Sequence, residues 1–169
     1  MLADKKHLQS WLDAGKKHMR EDAVSVDALL KGYSESLLHE KTIRNTSIFM
    51  GDRQVSGFTF NIYQPFYKSC PVGMILDLEI RVEGKVIPRN NVYFILKGGQ
   101  RVRLYETRTI QDIWWNILEP LVVFVARQGG LTSGTHDFEL TLAELVSEYY
   151  EHPKNLIMGS VKTKMQVTI

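Results

Sequence analysis

Apolar and polar side chains alternate in several short stretches of the chain between Gln54 and Ala143. In three of these stretches every second residue is apolar and the residues between are mostly polar: Phe58, Phe60 and Ile62; Leu78, Ile80 and Val82; Phe138, Leu140 and Leu142. Because successive side chains of a strand point to opposite faces, the alternation predicts strands with one buried and one solvated face. Several such faces need a second layer, so we expect a mainly β protein, either an antiparallel, jelly-roll-like β-sandwich or a flattened barrel.

The turn signals in this span separate six predicted strands. These are residues 54–63, 74–82, 91–96, 100–105, 121–127 and 134–143. The pattern adds an edge strand at 41–49 and a last strand at 160–169. Residues 106–120 fit two interpretations: a helical turn or two, or a connection whose Trp114-Trp115 pair closes one end of the sandwich.

A helical spacing of apolar residues precedes the strands. Residues 25–40 carry this spacing, and Ser25 is a suitable N-cap, so a helix is predicted there. Residues 1–22 have a narrower apolar stripe and form either a partly ordered extension or a helix that binds a partner. The chain therefore divides into an N-terminal helical extension at 1–40 and a β-sandwich domain at 41–169.

Composition narrows the class of protein. The 21 basic and 19 acidic residues nearly balance, which gives no basic footprint for nucleic acid. A hydrophobic fraction of 44% is ordinary for a soluble domain, and no apolar run has the length of a membrane span. The chain has one cysteine and no signal-peptide pattern at its start. We expect a cytoplasmic protein without a disulfide framework and without a membrane or nucleic-acid partner.

Catalytic and metal-binding patterns are missing from this sequence. The five histidines are at least eleven residues apart, and His136 beside Asp137 is the nearest approach to a metal motif. Cys70 precedes a proline and fits an inert thiol better than a nucleophile. The glycine pairs 98–99 and 129–130 fit turns better than phosphate loops. We therefore predict no catalytic, cofactor-binding or metal-binding residue.

Aromatic residues are the most unusual surface candidates. The loop at 64–73 carries Phe66, Tyr67 and Lys68, which is more aromatic surface than a plain connection needs. Trp114 and Trp115 are adjacent and cannot both face the core of a regular element, so one of them is expected to reach the surface or a partner. Exposed aromatic side chains mark a protein interface or a sugar-stacking surface. In the alternative, both tryptophans plug the end of the sandwich.

Several of these segments, in this order, resemble a known family. They are RNTSIF at 44–49, the stretch from Gly57 to Pro88 with its Phe66-Tyr67-Lys68 loop, the Trp114-Trp115 pair, and RQGGLTSGTHDFELTLA at 127–143. The sequence resembles the small (β) subunit of bacterial C-glycoside deglycosidases over roughly residues 40–145, and some of the tail. The first 36 residues lie outside this resemblance.

The resemblance implies a two-subunit lyase in which this chain is the non-catalytic subunit. The larger (α) subunit would be a TIM barrel with a divalent metal, usually Mn²⁺, and would bind most of a 3-oxo-C-glycoside substrate. The β subunit would pack on the barrel and border the mouth of its active site. We take seven residues as candidate contacts with the partner or the substrate: Arg44, Phe66, Tyr67, Lys68, Trp114, Trp115 and His136.

Two other functions compete with this one. A stand-alone carbohydrate-binding β-sandwich would use the surface around Tyr67, Trp114 and Trp115 to stack sugars. A metal-free small-molecule enzyme on a jelly roll is the third interpretation. Association with a larger subunit separates the first function from both.

Overall fold

A computed structural model describes residues 37, 38, 40–65, 69–116, 119–147 and 156–169. They form eleven strands: β1 (Arg44–Met50), β2 (Arg53–Ile62), β3 (Cys70–Pro71), β4 (Ile75–Val82), β5 (Lys85–Val86), β6 (Val92–Ile95), β7 (Arg101–Arg103), β8 (Trp114–Trp115), β9 (Leu121–Ala126), β10 (Thr135–Ser147) and β11 (Leu156–Thr168). Short 3-10 helices occupy Glu40–Thr42, Val72–Met74, Arg89–Asn91 and Leu104–Thr109.

The strands form two main antiparallel sheets. The first has the order β1-β2-β9-β6-β7, and the second has the order β11-β10-β4-β5. The two strands β3 and β8 make a separate small ladder. The predicted mainly β, antiparallel fold is confirmed, and the described strands leave both sheets with open edges rather than a closed barrel.

The core lies between the two main sheets. The rings of Phe58 and Phe60 on β2 meet the ring of Phe138 on β10 edge to face, with centroids 5.9 and 5.6 Å apart. All three side chains are fully buried. Edge-to-face packing across the layers is a favoured aromatic geometry, and it fixes how the sheets lie on each other.

The outer faces of the two sheets differ in charge. On the second sheet, Arg81 pairs with Glu79 and Glu139, and Lys162 pairs with Glu139. The outward positions of β6 and β9 in the first sheet are uncharged; among them, Tyr93 is partly buried and Phe124 is fully buried. One sheet thus has the salt-bridged face typical of a solvated surface, and the other is richer in aromatic and apolar groups.

The predicted strands are found, with shifts at their ends. The first strand begins at Arg44 rather than residue 41, because residues 40–42 form a 3-10 helix. The strand predicted at 100–105 ends at Arg103, where another 3-10 helix begins. The strand predicted at 134–143 continues to Ser147. Paired with it, β11 starts at Leu156 instead of residue 160.

Most of the predicted N-terminal extension lies outside the described residues. At its end, Leu37 and Leu38 are buried in the sandwich core. The Tyr63 N–H donates to the Leu37 carbonyl oxygen at 3.0 Å, and Leu38 makes an isolated bridge with Ile62. The chain therefore joins the sandwich beside the end of β2.

Candidate functional site

The end of the loop at 64–73 and the tryptophan pair lie together in the structure. In the small ladder, Cys70 pairs with Trp115 and Pro71 pairs with Trp114. The ladder is extended by the Val72 N–H, which donates to the Ile113 carbonyl at 2.9 Å. This fastens the loop after β2 to the connection before β9, and the connection forms a strand here rather than a helical turn.

The two tryptophans face opposite sides of the ladder. Trp115 is 2% exposed and belongs to the core, whereas Trp114 is 53% exposed. The Trp115 indole N–H donates to the Glu119 carbonyl oxygen at 3.0 Å, which satisfies its buried polar atom. The expectation that one of the pair reaches the surface is confirmed, and Trp114 is that residue.

A cavity of about 400 Å³ borders the exposed Trp114. Its walls are largely apolar and include Val72, Ile95, Ile113, Leu121 and Val122. This volume and lining fall in the range of pockets that accept a small ligand or a large side chain. The cavity with Trp114 is the candidate site defined by the fold.

An ion pair lies in the lining of this cavity. Lys97 Nζ is 2.7 Å from Glu119 Oε1, and Asn116 Nδ2 donates to Glu119 Oε2 at 2.9 Å. The hydrogen bond from Lys97, followed by that from Asn116, holds the pKa of Glu119 below its ordinary value. An apolar lining with a few placed polar groups beside it is the usual composition of a ligand pocket.

A buried polar cluster, missing from the sequence predictions, lies beside the same ladder. Glu144 is 1% exposed, and its Oε1 accepts from Gln64 Nε2 at 3.1 Å and from Cys70 Sγ at 3.5 Å. Burial raises the pKa of Glu144 to about 7, although both hydrogen bonds act to lower it. The sequence held a signal for this residue, because Glu144 continues the alternate core-facing positions Phe138, Leu140 and Leu142.

The other described candidates lie away from the ladder. The imidazole of His136 is largely buried, with Nδ1 3.2 Å from Glu83 Oε1 and Nε2 2.8 Å from the Thr132 carbonyl oxygen. His136 and Glu144 are eight residues apart on β10, which is about 27 Å along a strand. His136 therefore links Thr132 with Glu83, at the end of the sandwich opposite Trp114.

Arg44 and the aromatic loop complete the candidate set. Arg44 is exposed at the start of β1, opposite Thr59. Phe66, Tyr67 and Lys68 lie outside the described residues. Within the described ranges the structure thus brings together Cys70, Trp114 and Trp115, and it separates Arg44 and His136 from them.

Neither a metal site nor a membrane span is found in the described part of the chain. No group of three or more His, Cys, Asp or Glu side chains there could hold a metal ion. The helical segments in the same ranges are short, and none has the length and apolar character that crossing a bilayer requires.

The fold and this site define an antiparallel β-sandwich with an exposed tryptophan beside a cavity. The sequence model of the C-glycoside deglycosidase beta subunit family matches residues 33–149, and the chain belongs to that family. The C-glycoside deglycosidase beta subunit of Eubacterium cellulosolvens is 26% identical over 89 residues, which are 53% of this chain and 60% of that protein. The resemblance stated from the motifs is confirmed, and the family's name describes its members as β subunits.

Proposed function

We propose that this chain is the non-catalytic β subunit of a heteromeric C-glycoside deglycosidase. One observation carries the proposal: the family match at 33–149 spans most of the sandwich, including the Trp114 cavity. The catalytic partner would be a larger TIM-barrel α subunit, as the resemblance implies. The activity of the whole complex is inferred from the similarity to the Eubacterium cellulosolvens protein, and the alignment covers 60% of that protein.

The proposed reaction is a β-elimination on a C-glycoside oxidised at carbon 3 of the sugar. The ketone acidifies the C2–H, so a general base can remove that proton and leave an enolate. The C1–carbon bond to the aglycone then breaks, a C1=C2 double bond forms, and the released aglycone carbon takes up a proton. A divalent metal, Mn²⁺ by the resemblance, would stabilise the enolate charge. We assign both the metal and the base to the α subunit.

The part played by the present chain is to bind and support the α subunit. Trp114 offers the large, exposed aromatic surface that is typical of interface hot spots, and the cavity beside it can accept a partner side chain. Trp115 and the Cys70–Trp115 pairing hold Trp114 in place from the core side. The β-sandwich thus supplies a rigid frame for one contact surface.

Co-expression tests this function directly. The chain is produced with the larger subunit of a C-glycoside deglycosidase from the same organism, and the mixture is analysed by size exclusion. We expect one complex, and we expect cleavage of a 3-oxo-C-glycoside only when both chains are present. Separate elution, with activity in the larger chain alone, would overturn the proposal.

The exposed Trp114 also favours a second function, a stand-alone carbohydrate-binding module. Aromatic side chains at a cavity are the common means by which proteins stack sugar rings. Calorimetric titration of the isolated chain with C-glycosides and their free sugars separates the two functions. Saturable binding that is lost in Trp114→Ala, without any association with a larger subunit, would support this second function.

A further inference from the structure

Arg103 is held between two tyrosines at the edge of the five-stranded sheet. Its Nε donates to the Tyr93 hydroxyl at 3.3 Å and its Nη1 donates to the Tyr105 hydroxyl at 2.7 Å. The guanidinium carbon lies 5.6 Å from the centre of the Tyr93 ring and 5.9 Å from that of Tyr105. We call these three residues the Arg103 clamp. The two hydrogen bonds orient the guanidinium at the hydroxyl ends of both tyrosines.

The positive charge of this clamp has no anionic partner in the described part of the chain. Arg81 on β4 and Arg89 in the 3-10 helix Arg89–Asn91 both pair with carboxylates of β4. The side-chain partners of Arg103 are neutral phenols, and the nearby Glu106 carboxylate accepts from the Arg103 backbone N–H at 2.7 Å instead. Since a guanidinium has five N–H donors and two are used here, several remain for an external acceptor.

The clamp and part of the lining of the Trp114 cavity lie on the same face of the first sheet. On β6, Val92 and Phe94 point into the core, so Tyr93 and Ile95 point outward. Tyr93 belongs to the clamp and Ile95 lines the cavity. Two neighbouring outward positions of one strand therefore connect Trp114 with Arg103 and with the half-exposed Tyr105.

The composition of this surface fits a protein partner. Trp, Tyr and Arg are the residue types most enriched among interface hot spots. A guanidinium that is already held in place loses little freedom on binding, and its planar fork matches a carboxylate. The described ion pairs on the outer face of the second sheet leave no comparable cation for a partner carboxylate. There, Arg81 and Lys162 both pair with the carboxylate of Glu139.

We propose that the Arg103 clamp anchors the larger subunit by binding an Asp or Glu carboxylate of that subunit, with the surface from Tyr93 to Trp114 packed against it. This inference rests on the proposed function, since it needs a larger subunit that binds. Beyond the proposed function, it specifies that the docking site on the partner carries an acidic side chain. It also specifies which face of this chain the partner covers.

The test measures the Kd between the two subunits for the wild type, Arg103→Ala, Arg103→Lys and Arg89→Ala. Arg89 is the matched control, an exposed arginine in the 3-10 helix Arg89–Asn91 that pairs with Asp77 of the second sheet. We expect Arg103→Ala to raise the Kd at least about tenfold, with Arg103→Lys in between and Arg89→Ala unchanged. The Kd of the wild type is also expected to rise more steeply with salt than that of Arg103→Ala.

The outcomes separate the two proposals. Equal Kd values for the wild type and Arg103→Ala, with both proteins folded by circular dichroism, would overturn the clamp and leave the proposed function intact. No association of the wild-type chain with the larger subunit would overturn the proposed function, and the clamp with it. An equal loss in Arg103→Ala and Arg89→Ala would point to net charge rather than the clamp, and would also count against it.

Discussion

Asn45 and Leu131 exchange two hydrogen bonds across 86 residues of sequence. The Asn45 Nδ2 donates to the Leu131 carbonyl oxygen at 2.7 Å, and the Leu131 N–H donates to the Asn45 Oδ1 at 2.7 Å. The side-chain amide therefore pairs with the backbone as a neighbouring strand would. This joins the start of β1 to the glycine turn before β10.

Replacement of Asn45 tests this joint. Asn45→Ala leaves the Leu131 N–H and carbonyl without their partners, so we expect a loss of roughly 1–3 kcal/mol in the free energy of unfolding. Asn45→Asp keeps an acceptor but removes the donor, and should lie between. Urea denaturation measures the loss, with Ser47→Ala, an exposed position on the same strand, as the control. A loss no greater than that of Ser47→Ala would contradict this role.

How well each feature of this chain can be predicted depends on how far apart in the sequence the interacting residues lie. Strand positions depend on local alternation, and the predicted strands are found for that reason. The opposite orientation of Trp114 and Trp115 follows from the same local rule. The pairing of Cys70 with Trp115, and of Asn45 with Leu131, depends on contacts distant in sequence, for which a single sequence gives no signal.

Glu144 shows a different limit, because its position in the sequence does carry a signal. Glu144 occupies the next core-facing position of β10 after Leu142. Because carboxylates are rarely buried, a glutamate at such a position is normally taken to mark the end of the buried stretch. The register of β10 with β4 shifts between Ala143 and Glu144. That irregularity, which only the paired strands reveal, accompanies the change from apolar core to buried polar cluster.

Gly57 is required by a close approach between strands. A Cβ at this position would overlap the Val125 carbonyl oxygen and the ring of Phe124, both on β9. Gly57→Ala is therefore expected to lower the free energy of unfolding by roughly 1–3 kcal/mol or more, since backbone must shift to make room. Thermal unfolding measures the effect. Thr46→Ala is the comparison, because Thr46 lies on β1 directly opposite Gly57. A Gly57→Ala protein as stable as the wild type would contradict this close approach of β2 and β9.

The two tryptophans should respond differently to truncation. Trp115→Ala removes a buried side chain, and we expect it to cost roughly 3–5 kcal/mol of the free energy of unfolding. Trp114→Ala removes an exposed one, and we expect a change within about 0.5 kcal/mol. In the proposed complex, Trp114→Ala should weaken subunit association by about 2 kcal/mol, with Trp114→Phe retaining part of it. Denaturation of the free chain and titration of the complex measure the two effects. If Trp114→Ala destabilised the free chain as much as Trp115→Ala, the division between core and surface would be wrong.

The buried Glu144 predicts how stability depends on pH. Its pKa is about 7 in the folded chain against 4.5 for the free group, and burial is the main cause. The folded state therefore holds more protons than the unfolded state between these two values, so stability falls as the pH rises through this window and levels off above it. A shift of this size corresponds to about 3 kcal/mol of lost stability.

Glu144→Gln removes this titration and keeps a polar side chain of similar shape. We expect the variant to be close to the wild type near pH 5 and more stable near pH 8, as measured by urea denaturation across the pH range. Glu139→Gln is the matched control with the opposite sign, because the hydrogen bond from Lys162 lowers the pKa of Glu139. The stabilisation from Glu139 is present above the unfolded pKa and is lost as the pH falls, so its removal should matter most near neutral pH. Identical pH profiles for Glu144→Gln and the wild type would show that this carboxyl does not titrate in the core.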